Sequence, residues 1–191
     1  MTRGLANHLG RAVLWEDGAG LDVERASGGS FGPGPMEVLA QWDAFREWVA
    51  GASGAGDPIS ARELGPAVPE PRKVFAIGLN FGPLGPALVA ADSVADPGDL
   101  AISCDVAGER MQESRTSQLV FGVPELVSRL SRYCPLEPGY VIFTGTPGGV
   151  GSVREPRRYL RAGEEIVTVI EGLGALRNRC VEPPAGDASS R

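Results

Sequence analysis

Apolar positions along the chain fall in short runs broken by glycine and proline, and only two stretches carry the spacing of a helix. Arg11–Trp15 and Leu21–Glu24 flank the turn-rich Glu16-Asp17-Gly18-Ala19-Gly20, which predicts a strand pair near the N-terminus. The residues before it are expected to fray. Val38, Trp42, Phe45 and Val49 recur at helical intervals, entered after Pro35 and closed by Gly51, and predict one helix. The stretch from Gly51 to Pro71 is dense in Gly, Ala, Pro and Ser and marks a subdomain boundary ahead of the apolar run Val74–Ile77. Leu100–Val106 and Glu109–Gln112 flank Ala107-Gly108, the pattern of a hairpin with a two-residue turn. Val123, Leu126, Val127 and Leu130 predict a second helix, with Pro124 tolerated in its first turn. Tyr140–Thr144 reads as a strand running into the glycine-rich turn GTPGGVG, and Glu165–Ile170 with Ala175–Val181 as a closing hairpin around EGLG. The polar tail from Pro183 is expected to be disordered.

Composition adds little to this pattern but excludes several functions. The 191 residues, with 27 Gly and 16 Pro, suit one domain with a small N-terminal appendage and many short elements, an α+β fold that is mainly β. A formal net charge of −6 and the lack of any basic run give no support for a nucleic-acid partner. No stretch approaches the ~20 apolar residues needed to span a bilayer, and the N-terminus lacks an apolar signal core. Cys104, Cys134 and Cys180 are far apart and odd in number, which argues against a disulfide framework and for a reducing cytoplasm.

Several segments carry a resemblance. The hairpin with Gln112 and Thr116, the approach Leu136-Glu137-Pro138-Gly139, the turn Thr144-Gly145-Thr146-Pro147 and the closing RYLRAGEEIVTVIEGLGALRNRC stand in the order found in the C-terminal half of the fumarylacetoacetate hydrolase family. PRKVFAIGLN resembles the strand that opens the family's catalytic domain, and residues 11–66 resemble its small N-terminal domain. The resemblance implies a small N-terminal domain (1–66), a truncated mixed β-sandwich roll (67–182) and the tail (183–191). It also implies pairing into a homodimer.

The family's chemistry is hydrolysis of C–C bonds, decarboxylation or tautomerisation of 2-oxo or β-diketo acids. It uses Mg²⁺ or Mn²⁺ held by a Glu-x-Glu pair and a later Asp, with a His as base and a Lys at the substrate. In this chain Asn80 is followed directly by Phe81-Gly82-Pro83, a block that lies much later in the family, and no position matches the His, the three carboxylates or the Lys. The resemblance thus implies an internal deletion at Asn80/Phe81, or a fault in the gene model there. It also implies no cofactor in this chain and no catalytic residue. Thr144, Gly145 and Thr146 are the matched residues of the substrate pocket, lining it with hydroxyl and N–H groups for the carboxylate of a small oxo acid. Gln112 and Thr116 read as hairpin and helix-start residues.

Other candidates read as structure. Asp22 and Glu24 would share one strand face as a solvated pair, Asp92, Asp96 and Asp99 fall in a loop, and His8 is the sole histidine. The resemblance leaves three functions open: an impaired enzyme, a non-catalytic binding or dimerisation subunit, and a pocket repurposed for metal-free chemistry.

Overall fold

The structure, a computed structural model, describes residues 3–76, 85 and 87–182. The junction Asn80/Phe81 and the tail from Pro183 lie outside the described residues. Strands outnumber helices, and the fold is α+β, mainly β. The chain divides into two compact units, the first from residues up to 98 together with 120–146, the second from 99–119 with 147 onward.

The first unit opens with a three-stranded meander, β1 (Gly4–His8), β2 (Arg11–Glu16) and β3 (Ala19–Asp22). Both turns place two residues in the left-handed region, Leu9 and Gly10 at φ 51° and 90°, Asp17 and Gly18 at 50° and 83°. This backbone matches the right-handed strand twist of a tight hairpin. The segment expected to fray is therefore an inner strand, flanked by β2 on one side and by short strands on the other. Its signal is weak because only Leu5 and Ala6 are apolar side chains there, yet both are fully buried. Asn7 is buried too, and both polar atoms of its side chain have partners: Oδ1 accepts the Gly10 N–H at 2.8 Å and Nδ2 donates to the Pro66 carbonyl at 3.1 Å.

The strand expected to reach Glu24 ends at Asp22. The Asp22 carboxylate accepts the Arg25 N–H at 2.9 Å and caps the single helical turn α1 (Val23–Ala26), which points Val23 into the core. The one helix expected after Pro35 is two, α2 (Pro35–Leu39) and α3 (Trp42–Gly51), broken at Gln41 with φ −118° and ψ 36°. The break turns the chain so that Val38 and Leu39 from α2 and Phe45 from α3 are all buried. Glu37 fixes the start of α2 by accepting the Gly34 N–H at 2.9 Å. Around these residues sit Leu5, Leu14, Val23 and Phe31, with Phe31 edge-on to Phe45 at 5.7 Å and to Trp48 at 5.6 Å. Burial of each large apolar side chain here stabilises the fold by about 1.5–3 kcal/mol.

Short strands complete this unit. β4 (Asp57–Pro58) pairs with β3, β5 (Leu64–Gly65) with β1, and β7 (Ala87–Leu88) with β1. β6 (Val74–Ala76) stands before β7 in the chain and lies outside this sheet, pairing elsewhere.

The second unit contains one antiparallel sheet in the order β12-β11-β8-β9, built from β8 (Ala101–Val106), β9 (Glu109–Arg115), β11 (Glu165–Ile170) and β12 (Gly174–Arg179). The Ala107-Gly108 turn has φ values of 51° and 82°, the two-residue hairpin the sequence predicts. Between these strands in sequence come α4 (Val123–Leu130) and β10 (Val141–Phe143), which belong to the first unit. Val106 and Met111 are the only buried apolar residues among the described residues of the second unit. Its order rests on strand ladders and ion pairs more than on a core.

Candidate functional site

In the first unit β10 runs parallel to β6, with Val141 opposite Val74, Ile142 opposite Phe75 and Phe143 opposite Ala76. The pair starts in a fixed frame. The Val141 N–H donates to the Lys73 carbonyl at 3.0 Å, Phe75 and Tyr140 rings lie 6.2 Å apart, and the Lys73 ammonium sits 5.3 Å from the Tyr140 ring centre. Val141 also packs on the core around Phe45.

β10 ends at Phe143, opposite Ala76, the last described residue of β6, and Thr144-Gly145-Thr146 follow it half-buried. Gly145 has φ 126°, a conformation open to glycine and strained for other residues. Thr144 and Thr146 carry hydroxyls and the turn carries backbone amides, the group types that hydrogen-bond a small anion. An open groove of about 450 Å³ in the same unit includes Leu39, Trp42, Arg46, Asp92, Pro138 and Gly139. Pro138 and Gly139 precede β10, so this groove borders the other end of the strand.

In the second unit the residues that follow the turn, Pro147 to Gly151, are tied to β9. Gln112 Nε2 donates to the Pro147 carbonyl at 2.7 Å, and Arg154 donates from Nε to Gly149 O at 3.0 Å and from Nη2 to Met111 O at 2.6 Å. Sequence reasoning missed this use of Gln112 and Arg154. Nothing in local spacing links position 112 to 147, since the bond depends on how a hairpin meets a distant loop. Thr116 closes the same hairpin: its Oγ1 accepts the Leu100 N–H at 2.8 Å, its own N–H donates to Leu100 O at 2.9 Å, and it starts a 3-10 turn.

The acidic residues have other partners. Asp22 and Glu24 do not share a strand face. Asp22 ends β3, Glu24 lies on α1, and both grip Arg11, at 2.7 Å from Nε and 2.8 Å from Nη2. The bond from Arg11 holds the Asp22 carboxyl below the usual carboxylate range, and the two carboxylates push the guanidinium upward. Asp92 pairs with Arg46, and Asp105 with Arg110. Asp99 is held low by Arg115 at 2.7 Å and then by Ser117 at 2.6 Å. Glu164 is held low by Arg158 and by the Arg161 N–H. His8 faces Arg11 across the β1–β2 pair.

Among the described residues no three of His, Cys, Asp or Glu stand close enough together to hold a metal ion. Of those residue types only Asp187 lies outside the described residues. A Mg²⁺ or Mn²⁺ ion needs several oxygens converging in near-octahedral geometry, and Asp22, Glu24, Asp99 and Glu164, each bonded to a guanidinium, do not fit it. Cys104 on β8, Cys134 after α4 and Cys180 just after β12 are unbridged and half-buried.

Comparison with known proteins gives this arrangement a lineage. The profile "Fumarylacetoacetate (FAA) hydrolase C-terminal" matches residues 35–181. The mitochondrial oxaloacetate tautomerase FAHD2B of Bos taurus is 46% identical over 136 residues, which cover 70% of this chain and 42% of that protein. The chain therefore spans less than half the length of this curated relative. Among solved structures, a protein of Mycobacterium smegmatis bearing the HpcE name aligns with TM-score 0.82 and 28% identity over 93% of this chain and 99% of that one. The maleylpyruvate hydrolase of Sphingobium sp. SYK-6 shares the fold, with TM-score 0.80 and 19% identity over 94% of this chain and 100% of its own. Profile, sequence and fold agree that the chain is a member of the fumarylacetoacetate hydrolase family.

Proposed function

We propose that this chain binds a small 2-oxo acid at Thr144-Gly145-Thr146, that its ancestry is among C–C bond hydrolases, decarboxylases and tautomerases of oxo acids, and that its turnover is impaired. One observation carries the reading. The half-buried Thr-Gly-Thr turn leaves the carboxyl end of β10 in a chain with a relative named for oxaloacetate. Threonine hydroxyls and amide N–H groups suit a carboxylate, because hydrogen bonds to an ionised acceptor are the stronger kind.

The chemistry after binding is what this chain supplies poorly. Tautomerising a 2-oxo acid moves a proton from the carbon beside the carbonyl to the enol oxygen, and a positioned base contributes typically 10²–10⁴-fold. The sole histidine, His8, stands on β1 opposite Arg11, and the sequence has no match for the family's His, Glu-x-Glu, Asp and Lys. A bound cation would polarise the carbonyl, and the donor set here does not fit one. The pairing of Asp22, Glu24, Asp99 and Glu164 with arginines favours a second reading, a non-catalytic binding subunit that pairs with another copy or a related chain.

Oxaloacetate tautomerisation followed by absorbance, with and without Mg²⁺ and with EDTA, tests the reading alongside calorimetric titration with pyruvate. The expected result is saturable pyruvate binding with little or no acceleration of tautomerisation. Rapid turnover abolished by EDTA would overturn the impairment, and no pyruvate binding would overturn the site.

A further inference from the structure

Beside α3 in the first unit runs an open groove of about 740 Å³, which shares Trp42, Arg46 and Asp92 with the smaller groove near Pro138. Leu5, Leu14 and Phe45, all buried, lie at its base, and the half-buried Trp42 and Leu88 add further apolar surface. All five belong to the core around Phe45 or pack against it, so this is a place where that core is reached from outside.

The apolar residues of the groove are recessed. None of the large hydrophobic side chains that stand exposed among the described residues lines it, whereas Asp43, Arg46, Glu47 and Asp92 line it and are exposed. A protein-docking face would present large apolar side chains at the surface. An apolar interior with a few polar groups, in a volume of about 300–1,000 Å³, is the form of a small-molecule site.

The charges around the groove are unevenly committed. Arg46 is bonded to Asp92, and Arg3 donates to Glu16 at 3.1 Å and to the Ala52 carbonyl at 3.0 Å. Asp43 and Glu47 stand one turn apart on α3, and neither has a hydrogen bond or ion pair among the described residues. Both arginines are matched and these two carboxylates are not, so the groove offers a ligand negative charge. Trp42, beside Asp43 in the chain, adds an aromatic ring, to which cations are drawn.

We propose that this groove binds a small organic amine, its ammonium group facing Asp43 and Glu47 and its ring or alkyl body in the apolar interior. The site shares no residue with the threonine turn and does not depend on the oxo-acid reading. Burial of the apolar body supplies most of the affinity. Exposed ion pairs add a modest, salt-screened part that selects the sign of the ligand's charge.

The test is calorimetric titration of the full chain at low ionic strength with phenethylamine, with phenylacetate as the same ring bearing the opposite charge, and with methylamine as the charge without the body. Saturable binding of phenethylamine alone, weakened by high salt, is the expected result. Asp43→Asn combined with Glu47→Gln is expected to weaken it roughly three- to tenfold with Tm nearly unchanged, and Glu70→Gln, a charge change outside the groove, to leave it as it is. No phenethylamine binding, equal binding of phenylacetate, or an equal loss in Glu70→Gln would overturn the site, as would an unchanged affinity in the double variant. Self-association that shields Trp42 in a chain that binds no amine would give the groove to a second copy and overturn it too.

Discussion

Phe143 stands opposite Ala76 in a parallel strand pair, and Thr144 is the first residue after the strand that Phe143 ends. The turn's position is therefore set by a strand pair that also packs Val141 on the first unit's core. Loss of a threonine hydroxyl should act on ligand and not on fold. Thr144→Val is expected to weaken pyruvate binding by roughly tenfold, the worth of a hydrogen bond to a charged group, with Tm nearly unchanged. Calorimetry and a thermal melt on the same sample check it.

The aromatic cluster makes the opposite prediction. Phe45 is buried against Phe31, Trp42 and Trp48. Phe45→Ala is expected to cost about 3–5 kcal/mol through lost burial and the cavity left behind. Denaturant unfolding followed by tryptophan fluorescence reads this directly, since Trp42 and Trp48 border the cavity.

Two glycines in left-handed conformations should differ in tolerance. Gly108, at φ 82°, has nothing within 4 Å of where a Cβ would stand, whereas Gly149 meets the Met111 carbonyl. Gly108→Ala is expected to cost about 1–2 kcal/mol from backbone strain alone. Gly149→Ala is expected to cost more, and to disturb the contact of the loop with β9. Paired melts of the two variants check the order.

Acid sensitivity follows from the carboxylates held below their usual range. Asp22, Asp99 and Glu164 are lowered by Arg11, Arg115 and Arg158. The unfolded chain binds protons at these sites at higher pH than the folded one, so their stabilisation is complete above the unfolded range of about pH 4. It is lost as pH falls through the lowered folded values. Tm is expected to be flat across neutral pH as far as these groups act and to drop below about pH 4, and Glu164→Gln should flatten part of that drop. A fall in Tm on raising pH from 6 to 8 that Glu164→Gln removes would contradict this assignment.

Much of the fold was legible because local chemistry dictated it. Ala107-Gly108 between alternating strands, Pro124 in the first turn of α4, and Glu165–Ile170 before a glycine-bearing turn all signal their elements within a few residues. Where the reading failed, a tertiary contact outweighed the local pattern. Leu5 and Ala6 are a weak strand signal until β2 folds over them, Gln41 breaks a helical stripe so that α2 and α3 reach one core, and Asp22 caps a helical turn in place of extending a strand. In the candidate site the Thr-Gly-Thr turn was visible as a strand running into glycines. The bonds from Gln112 and Arg154 were invisible, because they join residues that sequence distance does not relate.

The proposed 2-oxo acid site at the threonine turn is expected to bind without a divalent cation. Calorimetric titration of the full chain with pyruvate in the presence of EDTA tests it most directly. Saturable binding that Thr144→Val weakens is the predicted result. Binding that appears only when Mg²⁺ or Mn²⁺ is supplied would contradict it.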